Sequence, residues 1–325
     1  MAQITDETKH LLKSETFVSP SQPAQPSLWW SYIVLARLHR LAGASVVVMS
    51  PCLWGLTMAA YSVDNISPSN LASLILLWVL GNILRRSAAC VWNDICDRDV
   101  DRLVERSKNR PLAAGTVSLT GAYMLLAGMM VLTLFMLSLA GFHTCVFLYG
   151  CAGIALLDMP YPLTKRWTYW PQAWLGTLIA WGAPTAWISV TGDRIDTVTL
   201  GALVVGNICW TIVYDTIYAC QDVRDDVAAG VKSTAVLFGR HTRVILSVFA
   251  TAFVLCLAIA GISNGQGAVY FAVTVAGAAG HLVWQLATVD LEDGADCSKK
   301  FLANGQLGYL VLLGMAGDYL RKVYY

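Results

Sequence analysis

Nine of the 21 acidic residues fall in two short windows: Asp94, Asp97, Asp99, Asp101 and Glu105, then Asp215, Asp222, Asp225 and Asp226. In the first, Asn93, Asp97 and Asp101 recur at i, i+4 and i+8 with Asp94 alongside, so on a helix their oxygens share one face. In the second, Asp215, Tyr218, Asp222 and Asp226 stand at i, i+3, i+7 and i+11, again one stripe, with Asp225 beside it. Like charges stacked along a helix repel, so something positive must offset them. Hard oxygen donors without histidine or thiolate suit Mg²⁺, which keeps several waters and is commonly shared with phosphate oxygens. Calcium fits less well, because a Gly-punctuated loop of about twelve residues is missing from both windows. The bland alternative, solvated helix ends, leaves Asp215 unexplained. That residue follows the apolar run Thr211-Ile212-Val213-Tyr214, where an unpaired carboxylate is costly and marks function.

Basic residues flank both windows. Arg102, Arg106, Lys108 and Arg110 follow the first; Arg224 and Lys232 lie in or after the second. Guanidinium forks and lysine ammoniums bind the phosphate oxygens that metal ions leave free. Read alone, these cations are ordinary loop charges. Beside the carboxylates they complete a diphosphate site.

The elements that position these residues are membrane spans. Hydrophobic residues make up 56% of the 325 positions and charged residues 13%, against about a quarter charged in a soluble domain. A span needs about 20 mainly apolar residues. Nine candidates run near 41–62, 71–92, 118–140, 143–159, 172–190, 197–219, 244–263, 267–288 and 304–320, with a very short turn at Gly141-Phe142-His143. The expected fold is therefore all-α: a polytopic bundle of about nine transmembrane helices around a central chamber. Asp94 and Asp215 lie 121 positions apart near the ends of spans 2 and 6, which suggests two four-helix pseudo-repeats plus one helix. Of the 22 basic residues, 17 fall in the N-terminal segment and the loops after spans 2, 4, 6 and 8, against three on the opposite side; Arg85 and Arg86 lie within a span. That asymmetry places the acidic windows in the cytosol. Residues 1–30 read as a disordered cytosolic tail and 31–325 as the membrane domain. The tail has neither the apolar centre of a secretory signal nor the arginines of a mitochondrial presequence. A net charge of +1 gives no field for nucleic acid. The nine scattered cysteines form neither a zinc pattern nor a disulfide framework.

These residues carry a family resemblance. Asn93-Asp94-x-x-Asp97-x-x-x-Asp101 with Arg106-Ser107-Lys108-Asn109-Arg110-Pro111 resembles the first motif of the UbiA superfamily of intramembrane prenyltransferases. Tyr214-Asp215-x-x-Tyr218-x-x-x-Asp222-Val223-Arg224-Asp225-Asp226, followed by Val231-Lys232-Ser233-Thr234, is similar to the second. Tyr161-Pro162-Leu163-Thr164-Lys165-Arg166 resembles a block of the 4-hydroxybenzoate polyprenyltransferase branch. The resemblance implies Mg²⁺ held by Asn93, Asp97, Asp222 and Asp226, with Asp94, Asp101, Asp215 and Asp225 as close supports. It implies diphosphate contacts from Arg106, Arg110, Lys165, Arg224 and Lys232, and cation-steadying rings at Tyr161, Tyr214 and Tyr218.

The implied reaction moves a prenyl group from its diphosphate to a ring carbon of a phenolic acceptor. Two departures bear on the acceptor. The opening motif Arg-x-Asp-x-Pro here reads Arg37-Leu38-His39-Arg40-Leu41, and Cys220 stands where ubiquinone-type members have histidine. The matching blocks and the variant Ala219-Cys220-Gln221-Asp222 are similar to fungal members that farnesylate phenolic polyketides. With the tail, that resemblance implies a farnesyl diphosphate donor and a phenolic polyketide acid, as in fungal meroterpenoid biosynthesis at the endoplasmic reticulum or another endomembrane. The alternative enzyme is a 4-hydroxybenzoate polyprenyltransferase of ubiquinone biosynthesis. An ion-coupled transporter is the remote alternative, since its acids belong near mid-bilayer rather than at one face.

Overall fold

A computed structural model describes residues 27–41, 44–63, 66–105, 107–140, 144–192 and 194–325. Helix α1 covers Leu28–Leu35 and is capped by the Ser27 side chain, so the tail expected to reach residue 30 gives way to helix earlier. Then follow α2 (Ala44–Ser62), α3 (Pro68–Asp101), α4 (Leu119–Leu139), and α5 (Thr144–Gly153), which widens into a π-helical turn over Ile154–Asp158. Helices α6 (Tyr161–Trp167), α7 (Pro171–Ala180), α8 (Gly182–Thr191) and α9 (Thr197–Ala219) lead to the second acidic segment. After it come α10 (Val223–Ala228), α11 (Thr234–Phe238), α12 (Thr242–Ser263), a π-helical stretch over Tyr270–Val275 feeding α13 (Ala276–Thr288), and α14 (Gly294–Tyr324). All the regular elements among the described residues are helical.

Among the described residues, seven helices are long and apolar enough to cross a membrane. The spans expected near 172–190 and 304–320 are helical but fall outside that set. The first is divided at Trp181 into α7 and α8; the second is diluted by Asn304, Gln306, Asp318 and its glycines. The tight turn expected at 141–143 lies outside the described residues.

Two helices form the axis of the bundle. In α2, 83% of the spanning window is buried, and in α9 61%, whereas the windows of α3, α4 and α12 lie between 22% and 33%. Helix α2 packs on α8 and α14, and α9 on α7 and α12. At Gly55 the α2 backbone comes so close to Ala183 of α8 that a Cβ would clash with the Ala183 carbonyl. Small residues permit such approach between spans, where lipid gives no hydrophobic drive for association. The core stacks Trp54 on Trp210 at 5.1 Å and Trp210 on Phe253 at 5.6 Å. Trp54 Nε1 donates to the Gly308 carbonyl and Trp210 Nε1 to Asn304 Oδ1, so both indoles meet a partner on α14.

Helix α1 packs Leu35 and Tyr32 against α3 and α4, and Arg37 at its end adds an ionic tie. Arg37 has φ +57°, and among the described residues it is the one non-glycine with positive φ. The left-handed backbone is strained for an arginine and persists because its contacts hold it there. Nη1 donates to the Val34 and Leu35 carbonyls at 3.0 and 3.3 Å, satisfying the end of α1. Nη2 donates to both oxygens of Asp94 at 2.8 and 2.9 Å. Arg37→Ala leaves Asp94 with only the 3.3 Å contact from Arg110 and is expected to cost about 3 kcal/mol. Thermal unfolding in detergent measures this. The double variant Arg37→Ala/Asp94→Ala should lose less than the sum of the singles.

Candidate active site

Helix α3 delivers its acidic stripe intact to one end of the bundle, and the stripe divides into two kinds of carboxylate. Asp94 and Asp101 are buried and paired. Arg110 Nη1 donates to the two oxygens of Asp101 at 3.0 and 2.8 Å and to Asp94 at 3.3 Å, so one guanidinium bridges two carboxylates of the ladder. Together with Arg37 it supplies the positive charge that the spacing requires. Asp97, one turn from each, is instead open to a cavity and accepts a bond from Asn93 Nδ2 at 3.1 Å.

The loop after α3 aims Arg110. Ser107 Oγ donates to the Asp101 carbonyl at 3.2 Å and Arg102 Nε to the Ala113 carbonyl at 3.1 Å, folding the chain back over the helix end. Arg106 lies outside the described residues.

The second stripe is reached differently from the expected single helix. Helix α9 stops at Ala219, a 3₁₀ turn spans Cys220–Asp222, and α10 begins at Val223. Asp215, Tyr218, Asp222 and Asp226 still line one cavity, because the turn keeps them on the same side. Arg224 and Asp225 fall on the exposed side of α10 and are not among the residues that line either compartment. Lys232 lines the cavity, its backbone N–H on the Lys165 carbonyl at 3.0 Å and its ammonium 5.5 Å from the Tyr169 ring.

The site is a cavity in two joined compartments. The outer one, about 440 Å³, is polar, with Asp97, Asp222, Asp226, Lys165, Arg166 and Lys232 in its wall. The inner one, about 300 Å³, has a mixed wall, with Val47, Leu175, Leu178 and Ile179 on its apolar side and Arg37, Arg86, Asp94 and the Arg85–Asp158 pair on its charged side. Arg110, Tyr161, Lys165, Asp215 and Tyr218 line both, and so form the ring where the two meet. Phe301 of α14 backs this ring, 4.5 Å from Tyr218 and 5.9 Å from Tyr214. The Tyr214 hydroxyl donates to Thr211 Oγ1 at 3.1 Å, leaving its ring on the inner wall.

The donor set fits Mg²⁺ as an ion completed by substrate and water. Among the described residues, no three His, Cys, Asp or Glu side chains converge as a ready-made metal cage. Asp97 on one wall and Asp222 and Asp226 on the other supply hard oxygens across a space wide enough for a diphosphate between them.

Several functional positions escaped the sequence reading. Arg37 and Phe301 line the inner compartment, as do Arg85, Arg86 and Asp158. Arg86 Nη1 is buried there without a hydrogen-bond partner. A signal was present for three of these: Arg85, Arg86 and Asp158 are charges inside apolar runs. His39, by contrast, is largely exposed near the Trp30 ring and lines neither compartment; partial desolvation and the charge of Arg40 lower its pKa from the ordinary imidazole value.

Known proteins share this arrangement. Residues 48–308 match the model of the UbiA prenyltransferase family. The UbiA prenyltransferase claS of Ampulloclitocybe clavipes is 40% identical over 305 residues, 94% of this chain and 96% of its own. The mitochondrial 4-hydroxybenzoate polyprenyltransferase of Schizosaccharomyces pombe is 39% identical over 310 residues, 94% of this chain and 85% of its own. Among solved structures, an apo UbiA homologue from Aeropyrum pernix superposes with TM-score 0.70 at 22% identity, covering 83% of this chain and 97% of that one. A homologue from Archaeoglobus fulgidus bound to GPP and Mg²⁺ superposes with TM-score 0.66 at 19% identity, covering 89% and 99%. The motifs, the bundle and these likenesses agree: the chain belongs to the UbiA prenyltransferase family, and it is a membrane prenyltransferase.

Proposed function

We propose that this enzyme transfers a farnesyl group from its diphosphate to a ring carbon of a phenolic polyketide acid, as in fungal meroterpenoid biosynthesis. The observation that carries the reading is the ring shared by the two compartments. A diphosphate in the outer compartment meets Lys165, Arg110 and Lys232, while its prenyl chain passes the ring along the apolar side of the inner compartment, formed by Val47, Leu175, Leu178 and Ile179. The scissile C–O bond then lies beside Tyr161 and Tyr218.

When bound by Asn93, Asp97, Asp222 and Asp226, Mg²⁺ withdraws charge from the diphosphate oxygens and eases departure of the leaving group. The side chains do the rest. Lys165 and Arg110 hold the oxygens with charge-assisted bonds as negative charge grows on the leaving diphosphate. The Tyr161 and Tyr218 faces steady the allylic cation. Leu175, Leu178, Ile179 and Val47 exclude the water that would quench it to an alcohol. The allylic C–O bond breaks with its electron pair going to the diphosphate. The ring carbon of the acceptor then bonds to the allylic cation, and the ring proton passes to the released diphosphate or water, restoring aromaticity. Arg86 supports an acid as acceptor, since a guanidinium in the wall of the inner compartment, with its Nη1 buried and unbonded, suits a carboxylate.

Relatives named 4-hydroxybenzoate polyprenyltransferases favour a second reading, prenylation of 4-hydroxybenzoate for ubiquinone. Both acceptors carry a carboxylate, so Arg86 serves either. The basic-residue asymmetry supports a cytosol-facing outer compartment.

Microsomes carrying the full chain, supplied with farnesyl diphosphate and either orsellinic acid or 4-hydroxybenzoate, separate the readings. Product from the first acceptor is expected; product from the second alone, with rescue of a ubiquinone-deficient strain, would establish the alternative. Removing Mg²⁺ with EDTA should abolish turnover and added Mg²⁺ restore it. Asp222→Ala should lower kcat/KM by about 1,000-fold, about 4 kcal/mol of lost charge stabilisation. Arg86→Leu should lower kcat/KM for the acid by about 30-fold and leave a decarboxylated phenol acceptor within about threefold of its wild-type value.

A further inference from the structure

We propose that the buried ion pair between Arg85 and Asp158 is the floor of the inner compartment and limits the prenyl donor to about three isoprene units. The proposal rests on the prenyl diphosphate reading above and adds a chain-length determinant to it.

Three cavities meet at this pair. Arg85 lines the inner compartment, a second pocket of about 60 Å³ that includes Cys52, Trp78, Gly81, Met136 and Trp181, and a third of about 120 Å³ that includes Trp92 and Met130. Asp158 lines the inner compartment and the third pocket. Arg85 Nε and Nη2 donate to Asp158 Oδ2 and Oδ1 at 2.8 and 2.7 Å, and Nη2 reaches the Leu178 carbonyl at 3.2 Å. The fork therefore spans the gap between α3, α5 and α7. Asp158 closes the π-helical turn at the end of α5, and such turns recur at functional sites.

Stability alone does not account for the pair, since well-packed apolar residues commonly replace a buried ion pair without loss. Beyond it the lining is built for hydrocarbon. The polar groups there bond inward, Cys52 to Asn82, Asn82 to the Trp78 carbonyl, Thr133 to Met129 and Thr185 to Trp181. An alkyl chain could occupy that space only if the floor opened.

The depth matches the limit. Arg85 lies twelve residues before Asp97 on α3, about 18 Å along the axis. With about 4 Å taken by the diphosphate, about 14 Å remains, and an isoprene unit with carbon–carbon bonds of about 1.5 Å extends about 5 Å.

The test compares geranyl, farnesyl, geranylgeranyl and hexaprenyl diphosphates with the full-length enzyme, Mg²⁺ and its phenolic acceptor. Wild type should favour farnesyl over geranylgeranyl diphosphate at least tenfold in kcat/KM. Arg85→Ala/Asp158→Ala removes both charges together and should raise the geranylgeranyl-to-farnesyl ratio at least tenfold. Arg85→Met/Asp158→Leu, which refills the space, should keep the wild-type ratio. Adding Gly81→Leu to the opened variant should reverse its gain, because a Cβ at Gly81 meets only Met136 at an ordinary 3.6 Å. Equal use of hexaprenyl and farnesyl diphosphates by wild type would overturn the floor even if the variants failed to fold. So would an unchanged ratio in the folded, opened variant. Turnover of none of the donors by wild type would overturn the diphosphate reading itself.

Discussion

Stacked carboxylates at the end of a membrane helix stand only if cations meet them, and here one guanidinium does most of that work. Arg110 bridges Asp94 and Asp101 while Arg37 takes the other side of Asp94. Two of the carboxylates are thereby neutralised and fixed. Asp97, between them in sequence, is left facing the outer compartment. The ladder thus serves both roles at once: its paired members hold the helix end in place, and its open member is presented to a ligand. Removing the cations would collapse the distinction, because every carboxylate would repel its neighbours.

The rest of the bundle keeps that arrangement from relaxing. Helices α2 and α9 are buried along most of their spanning length, held to α14 by two indole N–H bonds and to α12 by a stack of three rings ending at Phe253. The acidic ends of α3 and α9 are carried on this frame, so the gap between their stripes is set by packed backbone. The segment beside the outer compartment is tied in as well, by the Lys232 N–H on the Lys165 carbonyl, the Thr234 N–H on Gln172 and the Thr216–Thr234 hydroxyl pair at 2.6 Å, with Ser233 and Thr234 buried.

Much of this was legible in the residues. Helical spacing brought Asp97, Asp222 and Asp226 to one cavity, and charge within an apolar run singled out Asp215. Span edges were read closely where the apolar run was clean, as at Thr197–Ala219. They were missed where polar side chains are satisfied inside the bundle, as along α14, since local hydropathy does not register a tertiary hydrogen bond. The exposed position of Arg224 was not legible, because α9 gives way to a 3₁₀ turn at Cys220–Asp222 before α10 and linear spacing does not show that break. Arg37 was noticed only as part of an altered motif. Its role depends on a left-handed backbone and on a partner 57 positions away, which periodicity does not reveal.

The central claim is that the two acidic segments act together on one diphosphate through Mg²⁺. Calorimetric binding of a non-hydrolysable farnesyl thiodiphosphate to the purified full-length protein tests it most directly. The account predicts binding only with Mg²⁺ present, lost equally in Asp97→Asn and in Asp222→Asn, since each removes one wall of the same site. Binding that persists without Mg²⁺, or that survives either substitution unchanged, would contradict it.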